Sequence, residues 1–275
     1  MRKSTPSSTA QNVALVRSYL TWRGILDDPF AAPMLRRRWA LMDQALRRPL
    51  LAGLGRNRTF SWLVARTRFF DDAVTAALDA GIRQVVVLAA GYDSRAWRLG
   101  RPGVRFFEVD HPATQADKRR RAPGGGPRYV PVDFGTDSLE ERLLAAGYHA
   151  DEPGVFTVEG VTMYLTEAQV RDLLGTLRHL GAAGSRLAIN FGLGVEAADS
   201  RASWLGAALT RLQFAMSGER ITYRPSVPHA EAVLAAAGWT PERTLTAPEL
   251  VARYVTGTGL PVTGIKPTAF ATIAG

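Results

Sequence analysis

Three carboxylates and an arginine stand where the chain could hold a charged ligand built around a nucleoside. Asp110 closes an apolar run at 104–109 and lies nineteen positions after Gly91. A carboxylate at the end of a second strand accepts hydrogen bonds from ribose hydroxyls. Asp133 and Phe134 close a shorter run at 129–132. There an acid and a ring could bracket an adenine, the carboxylate taking the exocyclic amine and the ring stacking, although Asp133 is equally placed to cap a helix over 138–146. Glu159 closes the run 155–158 and could face a sulfonium or an ammonium group. Arg66 repeats with Leu63, Phe70, Val74, Ala77 and Leu78 on one face of a helix, while Arg68 points away. A buried arginine requires an anion. That anion is either a protein carboxylate, Glu159 among the candidates, or the carboxylate of a bound amino-acid group.

These groups need a common edge, and the apolar runs supply it. The stretch 84–99, QVVVLAAGYDSRAWRL, opens with five apolar residues rich in β-branched side chains, the pattern of a strand covered on both faces. Gly91 follows, so the chain turns at the strand's carboxyl end, where ligands bind in open α/β sheets. A glycine at that turn lets a ligand approach the backbone. A dinucleotide loop would need the three glycines of G-x-G-x-x-G, and AAGYDS has one. A nucleoside ligand without a pyrophosphate is favoured, S-adenosylmethionine foremost.

With 275 residues the chain can bury one large core without staples. Cysteine is absent, and the four histidines show no i, i+4 pairing, so neither disulfides nor a metal site is expected. No apolar run approaches the ~20 residues of a membrane span, and the first residues lack the apolar core of a signal peptide, which points to a cytoplasmic protein and no membrane partner. The net charge of +9 is spread over scattered arginines. Its densest cluster, 118–121, reads as a solvated helix end, so nucleic acid is not expected as a partner and a negatively charged small molecule is.

Along the chain, helices are expected over 12–26, with Arg17 inside, over 34–46 with a shorter one near Leu50, and over 61–80, closed by Gly81. Residues 12–60 precede the sheet and form a helical cap. Strands follow near 104–109, 129–132, 155–158 and 186–191, with helices over 113–122 and 138–146. Thr166 and Gln169 make a capping box that opens a helix striped by Val170, Leu173, Leu174, Leu177 and Leu180. A helical pattern within 192–228, with Trp204 and Phe214, interrupts the sheet and contributes to a substrate pocket. After a helix at 231–237, two strands near Leu245 and 269–273 form a reversed terminal hairpin. The whole chain, 1–275, reads as one domain.

The blocks ILDDPFAAPML, ARTRFFDDAV, QVVVLAAGYDSRAWRL, FFEVDHP, PVDF and VEGVTMYLTEAQVRDLL, in that order over about 13–191, resemble the leucine carboxyl methyltransferase family, in its bacterial, actinobacterial branch of S-adenosylmethionine-dependent O-methyltransferases. The resemblance implies a class I methyltransferase fold: a Rossmann-like, mostly parallel α/β sheet with an antiparallel C-terminal strand, helices on both faces and a helical cap. It implies that Arg66 holds the carboxylate of S-adenosylmethionine, with Arg17 near it. Ala89 and Gly91 would form the loop under the cofactor, Ala89 replacing a glycine common there. Asp110 would bind the ribose, Asp133 and Phe134 the adenine, and Glu159 would be the acid of the E-G-x-x-x-Y-L block. Tyr164 would face either the substrate or the core. Some bacterial relatives esterify aromatic polyketide carboxylates in secondary metabolism, antibiotic biosynthesis included. The aromatics Trp22, Trp39, Phe60, Trp62, Trp204 and Phe214 would suit a flat acidic substrate or serve as cap core. A carboxylate acceptor needs no general base; a hydroxyl acceptor would, with His111 or His229 as candidates. The competing reading is a cofactor-binding protein without catalysis that acts on a partner.

Overall fold

The computed structural model describes residues 6–48, 57–192, 221–265 and 269–275. The apolar runs form a seven-stranded sheet of β1 (Gln84–Leu88), β2 (Arg105–Asp110), β3 (Arg128–Pro131), β4 (Gly154–Val158), β5 (Arg186–Phe191), β6 (Pro241–Thr246) and β7 (Phe270–Ala274). Their order is β3-β2-β1-β4-β5-β7-β6. The first five strands run parallel, and β7 pairs antiparallel with both β5 and β6. This is the α/β sheet expected from the sequence. Because β1 lies between β2 and β4, the chain reverses its direction of winding at β1, and the loops after β1 and β4 diverge there, the place where such sheets hold ligands.

Alternation along each strand divides the core into two layers. Val86, Leu88, Phe107, Val109, Phe156, Val158, Leu187 and Ile189 face one side, covered by α6 (Leu139–Ala145), α7 (Glu167–Leu180) and α8 (Val227–Ala236). Val85, Val87, Phe106, Val155 and Ala188 face the other, covered by α3 (Arg58–Asp79) and α9 (Ala247–Val255). The predicted Thr166–Gln169 capping box is formed, and Gly81 closes α3 with a φ of +96°. Before the sheet, α1 (Ser8–Trp22), α2 (Arg37–Leu46) and the connection between them bury Ala14, Leu15, Leu35 and Trp39 against Tyr92 of the loop after β1, so this helical segment is seated directly on the sheet's carboxyl edge.

Four expectations change. The two C-terminal strands pair antiparallel as the reversed terminal pair expected, but no tight turn joins them, because α9 stands between β6 and β7 in the chain. Lys118 does not belong to a solvated helix end: in α5 (Pro112–Arg119) it is fully buried against Glu108 of β2. Arg68 is not turned to solvent, since its terminal nitrogens donate to the carbonyls of Tyr254 and Ile25. Asp133 does not cap the helix after β3; Ser138 caps α6, its side chain accepting from the Glu141 amide. The helical pattern near Leu50 and most of the 192–228 insertion, Trp204 and Phe214 included, lie outside the described residues.

Candidate functional site

The loop after β1 sets the geometry. Ala89 has a φ of +51° and Gly91 one of +53°, so the backbone turns twice through the left-handed region within three residues. Gly91 is needed for a reason beyond its dihedral: a Cβ there would come within 2.9 Å of Ala10 Cβ, in the first turn of α1. The glycine therefore permits close approach of the cap helix, which Ser7 also ties down through its amide to Thr114 Oγ1 (3.1 Å). Ala89 carries the strain that a glycine would not. Ala89→Gly is expected to raise stability by about 1 kcal/mol, allowing for the freedom glycine adds to the unfolded chain. A urea midpoint that failed to rise would show that Ala89 relaxes out of the left-handed region.

Asp110 joins this loop to β2. Its Oδ2 accepts from the Gly91 amide (2.5 Å) and its Oδ1 from the His111 amide (2.6 Å). Burial pushes the Asp110 carboxyl up, opposed by those two amides. Each oxygen keeps a further lone pair, which is what two ribose hydroxyls would require. His111 is the N-cap of α5, its Nδ1 accepting from the Ala113 amide. His111 Nε2 stands 4.0 Å from Asp133 Oδ2. Asp133 Oδ1 accepts from the Gly135 amide, and beside it the Phe134 ring is 49% exposed, open to stacking.

On the other side of the loop lies a lattice of four arginines and four carboxylates. Arg66 Nε donates to Glu159 Oε1 (2.8 Å), and Arg95 Nη1 lies 2.8 Å from Glu159 Oε2. Arg95 in α4 (Arg95–Arg98) also reaches Asp93 Oδ2 (2.6 Å) and Asp71 Oδ1 (2.7 Å). Arg98 holds Asp71 Oδ2 at 2.7 Å. Arg17 Nε is 3.0 Å from Asp28 Oδ2, and its Nη2 donates to the Tyr92 carbonyl (2.5 Å). Thus Arg17 is committed to holding the loop. Arg66 differs: its Nη1 and Nη2 make no hydrogen bond among the described residues, and Gly160, at φ +69°, leaves room beside them, since a Cβ there would sit 3.3 Å from Nη1. An anchored Nε and a free terminal fork suit bidentate capture of a ligand carboxylate. Glu159 next to it suits a ligand cation.

Burial alone would raise the Glu159 carboxyl, but the Arg95 and Arg66 charges hold it below the usual carboxylate range. Asp93 is likewise pulled down to about 2, against burial, by Arg95, Arg17 and Lys118. A carboxyl whose folded pKa is depressed contributes stability that is complete above its unfolded value and vanishes as the pH falls through the folded one. Asp93 alone should account for about 2 kcal/mol lost between pH 4 and pH 2. Urea midpoints at pH 5 and pH 3 check this; equal midpoints would contradict it.

All the predicted binding residues therefore lie at the sheet's carboxyl edge. Arg66 meets Glu159, Gly91 meets Asp110, and Arg17 reaches the residue after Gly91. Tyr164 sits half-buried in a single 3-10 turn, Thr162–Tyr164, after β4. Arg95, Asp93, Asp71 and Asp28 were missed by sequence reasoning; the acids in FFDD and the arginines in DSRAWR, set among apolar residues, were the available signal. Of the aromatics weighed for a substrate wall, Trp39 and Trp62 are buried in the core, and Trp22 is 46% exposed.

Residues 9–178 match the family model of leucine carboxyl methyltransferase. A protein of Parafrankia sp. (strain EAN1pec), provisionally named an S-adenosyl-L-methionine-dependent methyltransferase, is 45% identical over 136 residues, covering 47% of this chain and 44% of its own. One of Mycobacterium sp. (strain JLS) with the same provisional name is 40% identical over 207 residues, covering 68% of this chain and 67% of its own. The match thus spans less than half of the first relative and two thirds of the second. Among solved structures, one from Thermobifida fusca, provisionally titled a methyltransferase, superposes with a TM-score of 0.57 at 17% identity, over 99% of this chain and 96% of its own. A DUF574 family protein of Streptomyces avermitilis gives 0.53 at 20% identity, over 94% and 95%. These two share the fold.

Proposed function

The chain belongs to the leucine carboxyl methyltransferase family, and from that premise we propose that it uses S-adenosylmethionine to methylate a carboxylate of a small acidic metabolite, giving a methyl ester. The observation that carries the reading is Arg66, held at Nε by Glu159 with its terminal fork free of hydrogen bonds among the described residues. That fork takes the carboxylate of the amino-acid arm, and Glu159 faces its ammonium. Asp110 takes the ribose hydroxyls, Asp133 and Phe134 the adenine. Arg17 supports the loop of Ala89 and Gly91 under the cofactor. When bound, the cofactor supplies an electrophilic methyl on a sulfonium.

What the protein adds is position. Holding an acceptor oxygen in line with that methyl near contact distance removes ~7 to 11 kcal/mol of the barrier. A carboxylate acceptor, with a reference pKa of ~4, is ionised at neutral pH and needs no base. A hydroxyl acceptor would, and one observation favours keeping that second reading: His229 Nε2 lies 2.9 Å from Glu167 Oε2, where α7 and α8 begin at the same edge of the sheet. Arg17, Arg66, Arg95 and Lys118 are buried and paired with carboxylates, so these four belong to no exposed basic stripe. No helix among the described residues is long and apolar enough to cross a membrane.

The test is transfer of labelled methyl from S-adenosylmethionine to a panel of aromatic acids and matched phenols. An ester releases labelled methanol in mild alkali, whereas an aryl ether retains its label. Alkali-labile product supports carboxyl transfer, alkali-stable product supports the hydroxyl reading, and tight cofactor binding without turnover on either set would favour a binding protein.

A further inference from the structure

We propose that Arg95 is the positioning residue of the amino-acid-arm site: it keeps Glu159 in place for the ligand's ammonium while Arg66 turns its fork to the ligand's carboxylate. This rests on the cofactor reading above. The two arginines divide the Glu159 carboxylate between them, Arg66 on Oε1 and Arg95 on Oε2, each at 2.8 Å. They are otherwise unlike. Arg66 has a fork free among the described residues, whereas Arg95 is 1% exposed and spent on three carboxylates: Asp71 from α3, Asp93 from the loop after β1, and Glu159 from the end of β4. Its guanidinium carbon lies 5.5 Å from the centre of the Phe70 ring.

Arg95 therefore cannot reach a ligand, and its effect must pass through Glu159 and Asp93. It is itself held from behind, because Asp71 accepts from Arg98 at Oδ2 (2.7 Å) and Oδ1 (3.0 Å). The peptide after Glu159 is fixed independently, Gly160 donating from its amide to Asn190 Oδ1 (2.7 Å). If Arg66 were the only counterion of Glu159, a ligand carboxylate arriving at Arg66 would compete for it and leave a buried acid unbalanced. Arg95 removes that competition.

The experiment compares two probes by calorimetry: S-adenosylhomocysteine, which has the amino-acid arm, and 5′-methylthioadenosine, which lacks it. Losing an outer partner that orients a ligand-holding group weakens binding about tenfold. Arg95→Gln should therefore weaken S-adenosylhomocysteine by about tenfold or more and leave 5′-methylthioadenosine within about twofold of the native protein. Should that variant not fold, Asp71→Asn serves, since it loosens Arg95 from behind without removing a charge from Glu159; an arm-specific loss of about threefold is expected. Equal losses for both probes, or no loss for either, would overturn the proposal. A native protein that binds neither probe would overturn the cofactor reading itself.

Discussion

Replacing Arg66 by methionine is expected to weaken S-adenosylhomocysteine by about 100-fold or more, with little change in stability. Two charge-assisted hydrogen bonds from the guanidinium fork to a carboxylate are each worth about 1.5 to 3 kcal/mol, and 2.7 kcal/mol is already about 100-fold. Methionine preserves much of the side chain's length and apolar stem, so the packing of α3 survives. Glu159 also retains a counterion, since Arg95 stays 2.8 Å from Oε2. Binding of 5′-methylthioadenosine, which presents no carboxylate, should change little. Calorimetry on the two ligands separates the outcomes, and an unchanged affinity for S-adenosylhomocysteine would reduce Arg66 to a structural partner of Glu159.

Arg66 was readable from the sequence because it interrupts an apolar face, and helical periodicity alone placed it inward. Asp110, Asp133 and Glu159 were readable for a related reason: each ends an apolar run, and strands of a parallel sheet all deliver their ends to one edge. What periodicity cannot report is the partner of a charged residue. Arg95 sits in a single helical turn, too short to show a face, and its three acids come from 71, 93 and 159. Lys118 lies in a run of basic residues whose helix has almost no apolar side chain, so nothing local distinguishes it from Arg119 and Arg120, which are exposed. Nor can periodicity report that Ala10, eighty-one positions before Gly91, is what a Cβ at that glycine would meet. The helix α9 is a different kind of miss. Thr246 and Glu249 form a capping box whose residues stand in the sequence, yet no helix is expected there between the two C-terminal strands.

Lys118→Met is the substitution expected to cost the most stability, about 3 to 5 kcal/mol. Lys118 Nζ lies 2.5 Å from Glu108 Oε2, both side chains are almost wholly buried, and the ammonium stands 5.5 Å from the centre of the Trp97 ring. Glu108 Oε1 has no hydrogen-bond partner among the described residues, so Lys118 is the main support of a carboxylate in the core. Even with that support burial pushes the Glu108 carboxyl up to about 7. Without it the carboxyl rises further and the folded state takes up a proton that the unfolded chain releases. The stability of the variant should then fall as the pH rises from 6 to 8, because the folded state binds more protons over that interval. Urea denaturation at the two pH values measures both the loss and its slope. Glu108→Gln combined with Lys118→Met should recover most of the stability, since neutralising both partners leaves no buried charge. Glu108 stands two residues before Asp110 on β2, so the same double variant also asks whether the ribose carboxylate depends on charge beneath it. Restored stability with native affinity for 5′-methylthioadenosine would make the pair a support of the sheet alone, whereas restored stability with weakened affinity would extend its influence to Asp110.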